Sequence, residues 1–250
     1  MTSSTPALPL KSIDALVLAG GLGTRTANIL EQTPKLLAPL DGRPYLDYLV
    51  HWLGQYGVHR LVLSLGYLAD RVLDHLETHT YPTMEIIPVV EPAPLGTLGG
   101  IANCRDQLHS DPVLVVNGDT YVDADLGAFL DFHRSQDFGA SLVCTMVDDA
   151  SRYGGVEFHS GGAITAFREK QPDGGGAGYV SGGMYLLGPA ALGHIGSIGT
   201  GSVESDFFAD QSALRLGAFS GSFQFIDFGT PESIEEAQEF FSALGFFRDQ

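Results

Sequence analysis

The chain has 250 residues, 44% hydrophobic and 17% charged, enough apolar material to bury the core of one domain. Its net charge of −17 excludes a nucleic-acid polymer as partner, which needs a basic surface, yet permits a nucleotide held in a local positive pocket. No run approaches the roughly 18 apolar residues of a membrane helix, and Cys104 and Cys144 make neither a disulfide framework nor a metal pattern, which predicts core residues of a cytosolic protein.

Residues 1–11 lack an apolar signal-peptide core and read as a loose leader. Residues 13–19 read as a buried strand that breaks into Gly20-Gly21-Leu22-Gly23-Thr24-Arg25, with Pro34-Lys35 following. Glycines let backbone approach a phosphate closely, consecutive N–H groups can hold an anion, and Arg25 and Lys35 add charge. A P-loop would need Gly-Lys-Ser/Thr where Thr24-Arg25-Thr26 stands, and a dinucleotide fingerprint would need a third small residue at Thr26. Only three lysines occur, Lys11, Lys35 and Lys170, and two of them fall inside motifs.

Further strands are predicted over 60–65, 84–90, 112–117 and 140–147, and helices over 45–56, 69–77, 98–108 and 124–135. This alternation predicts an α/β fold, a Rossmann-like, mostly parallel sheet flanked by helices, with ligands beyond the carboxyl ends of its strands. Beyond residue 150 the strands shorten and glycines multiply, which predicts a smaller mixed or antiparallel extension laid over that rim, with Gly174-Gly175-Gly176 as its tip. A helix over 231–244 closes the chain. The eight histidines show no ligand spacing, and no Gly-x-Ser-x-Gly elbow supports a serine hydrolase.

Two aspartates stand out. Asp119, in Asn117-Gly118-Asp119, ends an apolar strand, as a rigid ligand for a hard divalent cation should; a turn residue capping the next helix is the plainer alternative. Asp227 has the same apolar flanks before Gly229-Thr230-Pro231, where Thr230 alone suffices as the helix cap and leaves Asp227 without an evident partner.

The glycine loop with its Arg25 and its spaced Pro34-Lys35 resembles the signature of the sugar-1-phosphate nucleotidylyltransferases, Gly-Gly-x-Gly-Thr-Arg-Leu followed about ten residues on by Pro-Lys-Pro. Thr26 and Leu36 depart from it without removing a phosphate ligand. The resemblance covers nearly the whole chain. It implies catalytic roles for Arg25 and Lys35, and Mg²⁺ on Asp119 and Asp227. Ala19, Gly20, Gly21, Gly23, Thr24, Glu91, Gly96, Thr97 and Gly118 would bind the nucleotide. Gly154, Glu169, Lys170, Ser181 and Gly183 would bind the sugar phosphate, with Ser181 standing where asparagine is usual. The implied organisation is one domain, with a nucleotide-binding core over about 12–150, a sugar-binding part over about 151–230 and the C-terminal helix over 231–250.

Glu91 tilts the base toward guanine. A carboxylate accepts from both N1–H and N2–H₂ of that edge, whereas uracil and thymine suit an amide; alternatively Glu91 only ends its strand and backbone reads the base. Within the family the chain looks most like the D-glycero-D-manno-heptose 1-phosphate guanylyltransferases. Uridylyl- or thymidylyltransferase and mannose-1-phosphate guanylyltransferase activity are the alternatives inside the class. Outside it stand a non-catalytic nucleotide-sugar-binding subunit and a dinucleotide-dependent oxidoreductase. The partners implied are small molecules, with no membrane, and with a homo-oligomer left open.

Overall fold

A computed structural model describes residues 9–21, 30, 33–151, 153–168, 176–210 and 212–247. Strand β1 (Ala15–Ala19) leads, through a small antiparallel pair β2 (Pro39–Leu40) and β3 (Arg43–Pro44), into helix α1 (Tyr45–Gln55). Then follow β4 (Arg60–Leu65), α2 (Ala69–Thr78), β5 (Glu85–Val90), α3 (Gly96–Asn103), β6 (Val113–Asn117), β7 (Thr120–Val122), α4 (Leu126–Ser135) and β8 (Ala140–Val147). The last part carries β9 (Gly155–Phe158), β10 (Ile164–Arg168), β11 (Gly178–Leu187), α5 (Pro189–Ile198), a π-helical turn (Val203–Phe208), β12 (Leu216–Gly221), β13 (Phe225–Asp227) and α6 (Pro231–Leu244).

One nine-stranded sheet organises these elements, in the order β10-β9-β11-β6-β1-β4-β5, with β8 and β12 beyond β11 on a second branch. From β6 through β1 and β4 to β5 every pairing is parallel. Strands buried on both faces must be apolar throughout, which is why β1, β4 and β6 read as continuous Leu/Val runs. One face packs Leu61, Leu63, Leu114 and Val116 beneath α1, α4 and α6. The other packs Leu16, Val62, Val113 and Val115 beneath α3, α5 and the π-helical turn.

The later part is mixed and largely antiparallel, as expected, but it is joined to the core sheet. Strand β11 is ten residues long and pairs antiparallel with β6 inside the main sheet, so the later strands continue the core sheet instead of lying over its rim. Its glycines conceal its length: Gly183 adopts φ +70° where the pairing with β8 shifts register between Ser181 and Tyr185, and the strand resumes beyond. The predicted helix 98–108 also divides, into α3 and a 3₁₀ turn over Arg105–Gln107. Of the triple glycine, residues 174 and 175 lie outside the described set.

Edge strand β5 carries its own protection. Glu85 and Glu91 both donate their N–H to carbonyls in or beside β4, so odd-numbered residues turn their polar backbone inward. Pro88 falls on the outward row, where its missing N–H breaks no bond and interrupts any added strand. At the amino ends of the strands, Asp14 Oδ2 accepts from the N–H groups of His109 at 2.6 Å and Ser110 at 3.1 Å and pairs with Arg60 at 3.2 Å.

Both cysteines are free and buried, as expected. His133, on α4, is 5% exposed, with Nδ1 2.9 Å from the Ser141 hydroxyl. Burial lowers its pKa below the ordinary 6.5, Asp111 opposing and Arg134 assisting. The unfolded chain therefore binds this proton more readily than the folded one, so the stability due to neutral His133 is complete above about pH 6.5 and falls as the pH drops below it. His133→Gln should flatten part of the fall in Tm between about pH 6.5 and 5, measured by thermal melts; an unchanged slope would remove His133 as its source.

Candidate active site

The carboxyl ends of β1, β4, β5 and β6 open on one rim, where the glycine loop begins. Gly20 directly follows β1, its carbonyl receives the Tyr67 N–H at 3.4 Å, and a Cβ on Gly66 would lie only 2.6 Å from that carbonyl. Close backbone contact between the two loops thus requires glycine. Ala19 and Gly20 are half-buried and Gly21 is exposed. On the other side, Gly118 donates its N–H to the Leu18 carbonyl at 2.9 Å, which ties the β6 turn to the base of the glycine loop. Gly23, Thr24 and Arg25 lie outside the described residues, as do Glu169 and Lys170.

The two predicted metal aspartates come together. Strands β7 and β13 pair antiparallel with Asp227 opposite Thr120, and the Phe228 N–H donates to the Asp119 carbonyl at 3.2 Å. Lys35 joins them from a 3₁₀ turn (Lys35–Leu37) that Pro34 opens with φ −65°. Its Nζ lies 2.8 Å from Asp119 Oδ2, and also 3.7 Å from the point where a Cβ on Gly229 would stand, which in turn is 2.8 Å from Asp227 Oδ1. A cation and two carboxylates therefore share one corner of the rim, partly open to solvent.

Tyr45 holds that corner from below. Wholly buried at the start of α1, it donates its hydroxyl to the Thr120 carbonyl, and its ring meets Phe228 edge-on at 4.7 Å. Burial and the nearby Asp119 charge raise its pKa well above 10, so the phenol stays a donor. The cap readings resolve as well. Asp125, not Asp119, caps α4 through Gly127 and Ala128, and Thr230 with Ser233 forms the capping box of α6. Asp227, expected to lack a partner, does not: its Oδ1 accepts the Gly229 N–H at 2.7 Å, an ordinary Asx-type turn that fixes the carboxylate beside Lys35.

Glu91 sits at the end of β5 with its carboxylate against Gly20; a Cβ there would stand 2.4 Å from Oε1. Oε2 accepts the Leu95 N–H at 3.3 Å. Gly96, at φ +73°, opens α3, and Thr97 Oγ1 accepts the Val203 N–H at 2.9 Å, so the 96–97 turn is tied to the π-helical turn. Of the residues expected to bind the sugar phosphate, Ser181 accepts the Gly183 N–H on its Oγ at 3.2 Å. Gly183 packs on the turn between β6 and β7, since a Cβ there would meet Thr120 Oγ1 at 2.4 Å and Asn117 Nδ2 at 2.8 Å. Gly154 abuts the Arg168 carbonyl, one residue before Glu169.

Sequence reasoning passed over Tyr45, Thr120 and Ser64, which hold site residues in place. Ser64 left a legible trace, a lone hydroxyl at 1% exposure inside the apolar run of β4. Tyr45 left none, because an aromatic residue at helix spacing reads simply as core.

Chemically, the corner offers hard oxygen donors from adjacent strands, the donor set of Mg²⁺. Among the described residues no three His, Cys, Asp or Glu side chains form a complete cage. An ion there would draw its remaining ligands from phosphate and water. No helix among the described residues is long and apolar enough to cross a membrane.

Comparison with known proteins points to one family. The family described as Nucleotidyl transferase matches residues 14–243. D-glycero-alpha-D-manno-heptose 1-phosphate guanylyltransferase of Aneurinibacillus thermoaerophilus is 29% identical over 228 residues, 91% of this chain and 97% of that one. Mannose-1-phosphate guanylyltransferase of Mycobacterium tuberculosis is 32% identical over 224 residues, 88% of this chain, but the chain spans only 62% of that relative's length. Among solved structures, HddC from Yersinia pseudotuberculosis matches with TM-score 0.80 and 32% identity over 92% of this chain and 99% of its own. HddC has also been solved complexed with GMP-PN, and that structure matches with TM-score 0.79.

Proposed function

The chain belongs to the nucleotidyl transferase family, and from that premise we propose that it transfers the guanylyl group of GTP to a sugar 1-phosphate, D-glycero-D-manno-heptose 1-phosphate, with release of pyrophosphate. The observation that carries the reading is the convergence of Lys35, Asp119 and Asp227 on the rim where β1 and β6 end. The heptose relative matches this chain over 97% of its own length and the mannose relative over 62%, which favours that acceptor over mannose 1-phosphate.

In this reaction an oxygen of the sugar phosphate attacks the α-phosphorus, a new P–O bond forms, and the bond to the bridging oxygen of pyrophosphate breaks. A phosphate monoester with a second pKa of about 6 is already ionised at neutral pH, so the protein needs no general base. Its work is to position and to stabilise charge. Backbone N–H groups of the glycine loop and Arg25 hold the triphosphate tail, Lys35 faces the charge that builds at the α-phosphate, and Lys170 holds the nucleophile with Glu169 on sugar hydroxyls. Asp119 and Asp227 would hold Mg²⁺, which supplies Lewis-acid neutralisation of the phosphate charge when bound. Glu91 receives the guanine edge.

A matrix of GTP, UTP and dTTP against heptose, mannose and glucose 1-phosphates with Mg²⁺, scored by pyrophosphate, tests the proposal. The expected maximum is GTP with the manno-configured heptose. A maximum with UTP or dTTP would replace the base, and no pyrophosphate in any cell would leave a binding subunit.

A further inference from the structure

Beneath Glu91 lies a residue that no substrate reaches. Ser64, 1% exposed near the end of β4, donates its hydroxyl to Glu91 Oε1 at 3.1 Å. Its side chain faces α3 at Gly100, where an added Cβ would stand 2.8 Å from Ser64 Oγ and 3.0 Å from Glu91 Oε1. Gly100 and Gly20 therefore leave the space that this pair fills from opposite sides. Cys104 is buried beside the same Ser64 side chain, and burial pushes its pKa up to about 11, so it remains a neutral thiol at pH 7.

We infer that Ser64 is a positioning residue that aims the Glu91 carboxylate at the guanine edge, so that base selection depends on a buried hydroxyl outside the substrate's reach. This rests on the reading of Glu91 as the guanine acceptor. A carboxylate has about four acceptor positions. Among the described residues Ser64 takes one on Oε1 and the Leu95 N–H takes one on Oε2, which fixes the plane of the group and leaves one position on each oxygen. One free acceptor per oxygen is what the paired N1–H and N2–H₂ donors of guanine require. A hydroxyl in an apolar strand is costly unless it is bonded, and in β4 the flanking Leu63 and Leu65 are core residues. Alanine would pack there at least as well, so the strand itself does not call for the hydroxyl.

The test compares kcat/KM for GTP, ITP and UTP in the wild type, Ser64→Ala and Glu91→Gln. ITP keeps N1–H but lacks the 2-amino group, so the GTP/ITP ratio reports how squarely the carboxylate meets both donors. Ser64→Ala should lower that ratio about tenfold, the scale of one lost hydrogen bond to a charged group. The loss should appear in KM for GTP, with kcat at saturation nearly unchanged, because the chemistry lies at the other end of the nucleotide. Glu91→Gln should lower the ratio at least as far. Ser64→Cys, with a weaker donor of similar shape, gives the same reading if the alanine variant fails to fold. An unaltered GTP/ITP ratio in a folded Ser64 variant of a selective enzyme overturns the inference alone. A wild type that uses UTP as well as GTP overturns the guanine reading of Glu91 and the inference with it.

Discussion

Lys35→Ala should lower kcat roughly a hundredfold or more, the cost of removing one preorganised charge stabiliser from a transition state. Lys35 is held at both ends of its side chain. The 3₁₀ turn places its backbone, with Leu36 buried beneath it, and Asp119 Oδ2 receives its Nζ at 2.8 Å. That pairing leaves the side chain 19% exposed on the rim. In the proposed role the contact strengthens as charge builds on the α-phosphate, so the loss should fall on kcat and kcat/KM alike, with KM for the nucleotide moving little. Single-turnover mixing resolves the chemical step directly. A Lys35→Ala enzyme with near-normal turnover would place the charge stabilisation elsewhere.

The second large effect concerns the carboxylates. Asp119→Asn and Asp227→Asn should each raise the Mg²⁺ concentration for half-maximal rate and cut the rate at fixed Mg²⁺ by roughly a hundredfold or more, since metal neutralisation of phosphate charge is worth several kcal/mol. The substitutions preserve shape. In Asp227→Asn the amide oxygen can still accept the Gly229 N–H, so the turn that aims the side chain survives. Asp119→Asn leaves the backbone carbonyl in place, which receives the Phe228 N–H and joins β7 to β13. The Mg²⁺ titration therefore separates a ligand from a scaffold residue. Unchanged midpoints in both variants, with folded protein, would deny the pair a metal role.

The parts of the fold visible in the sequence were those where one periodicity ran unbroken. Strands β4 and β8 and helix α6 have their predicted bounds because apolar runs, or Thr230-Pro231 with its cap, mark both ends. The break after Asn103 was hidden, since Cys104 and Leu108 continue a helical apolar spacing while the backbone tightens into a 3₁₀ turn. Strand β11 was hidden for the opposite reason: Gly182-Gly183 reads as an end, but it is a bulge that lets the chain cross Asn117 and Thr120 closely.

At the site, residue types were legible and their pairings were not. Lys35 meets Asp119 across 84 positions, from a 3₁₀ turn to the turn after β6, and Ser64 meets Glu91 across 27, from β4 to the end of β5, a neighbour relation that only the sheet order supplies. Asp227 looked partnerless because its partner is a backbone N–H two residues on, which side-chain inventory does not count.

That Asp119 and Asp227 act on one shared ion over one nucleotide is tested most directly by crystals of this chain grown with Mn²⁺ and a non-hydrolysable GTP analogue, read by anomalous scattering. The expected result is a manganese peak within bonding distance of both carboxylates and of the analogue's phosphates. Ordered nucleotide with manganese on one carboxylate alone, or on neither, would contradict it.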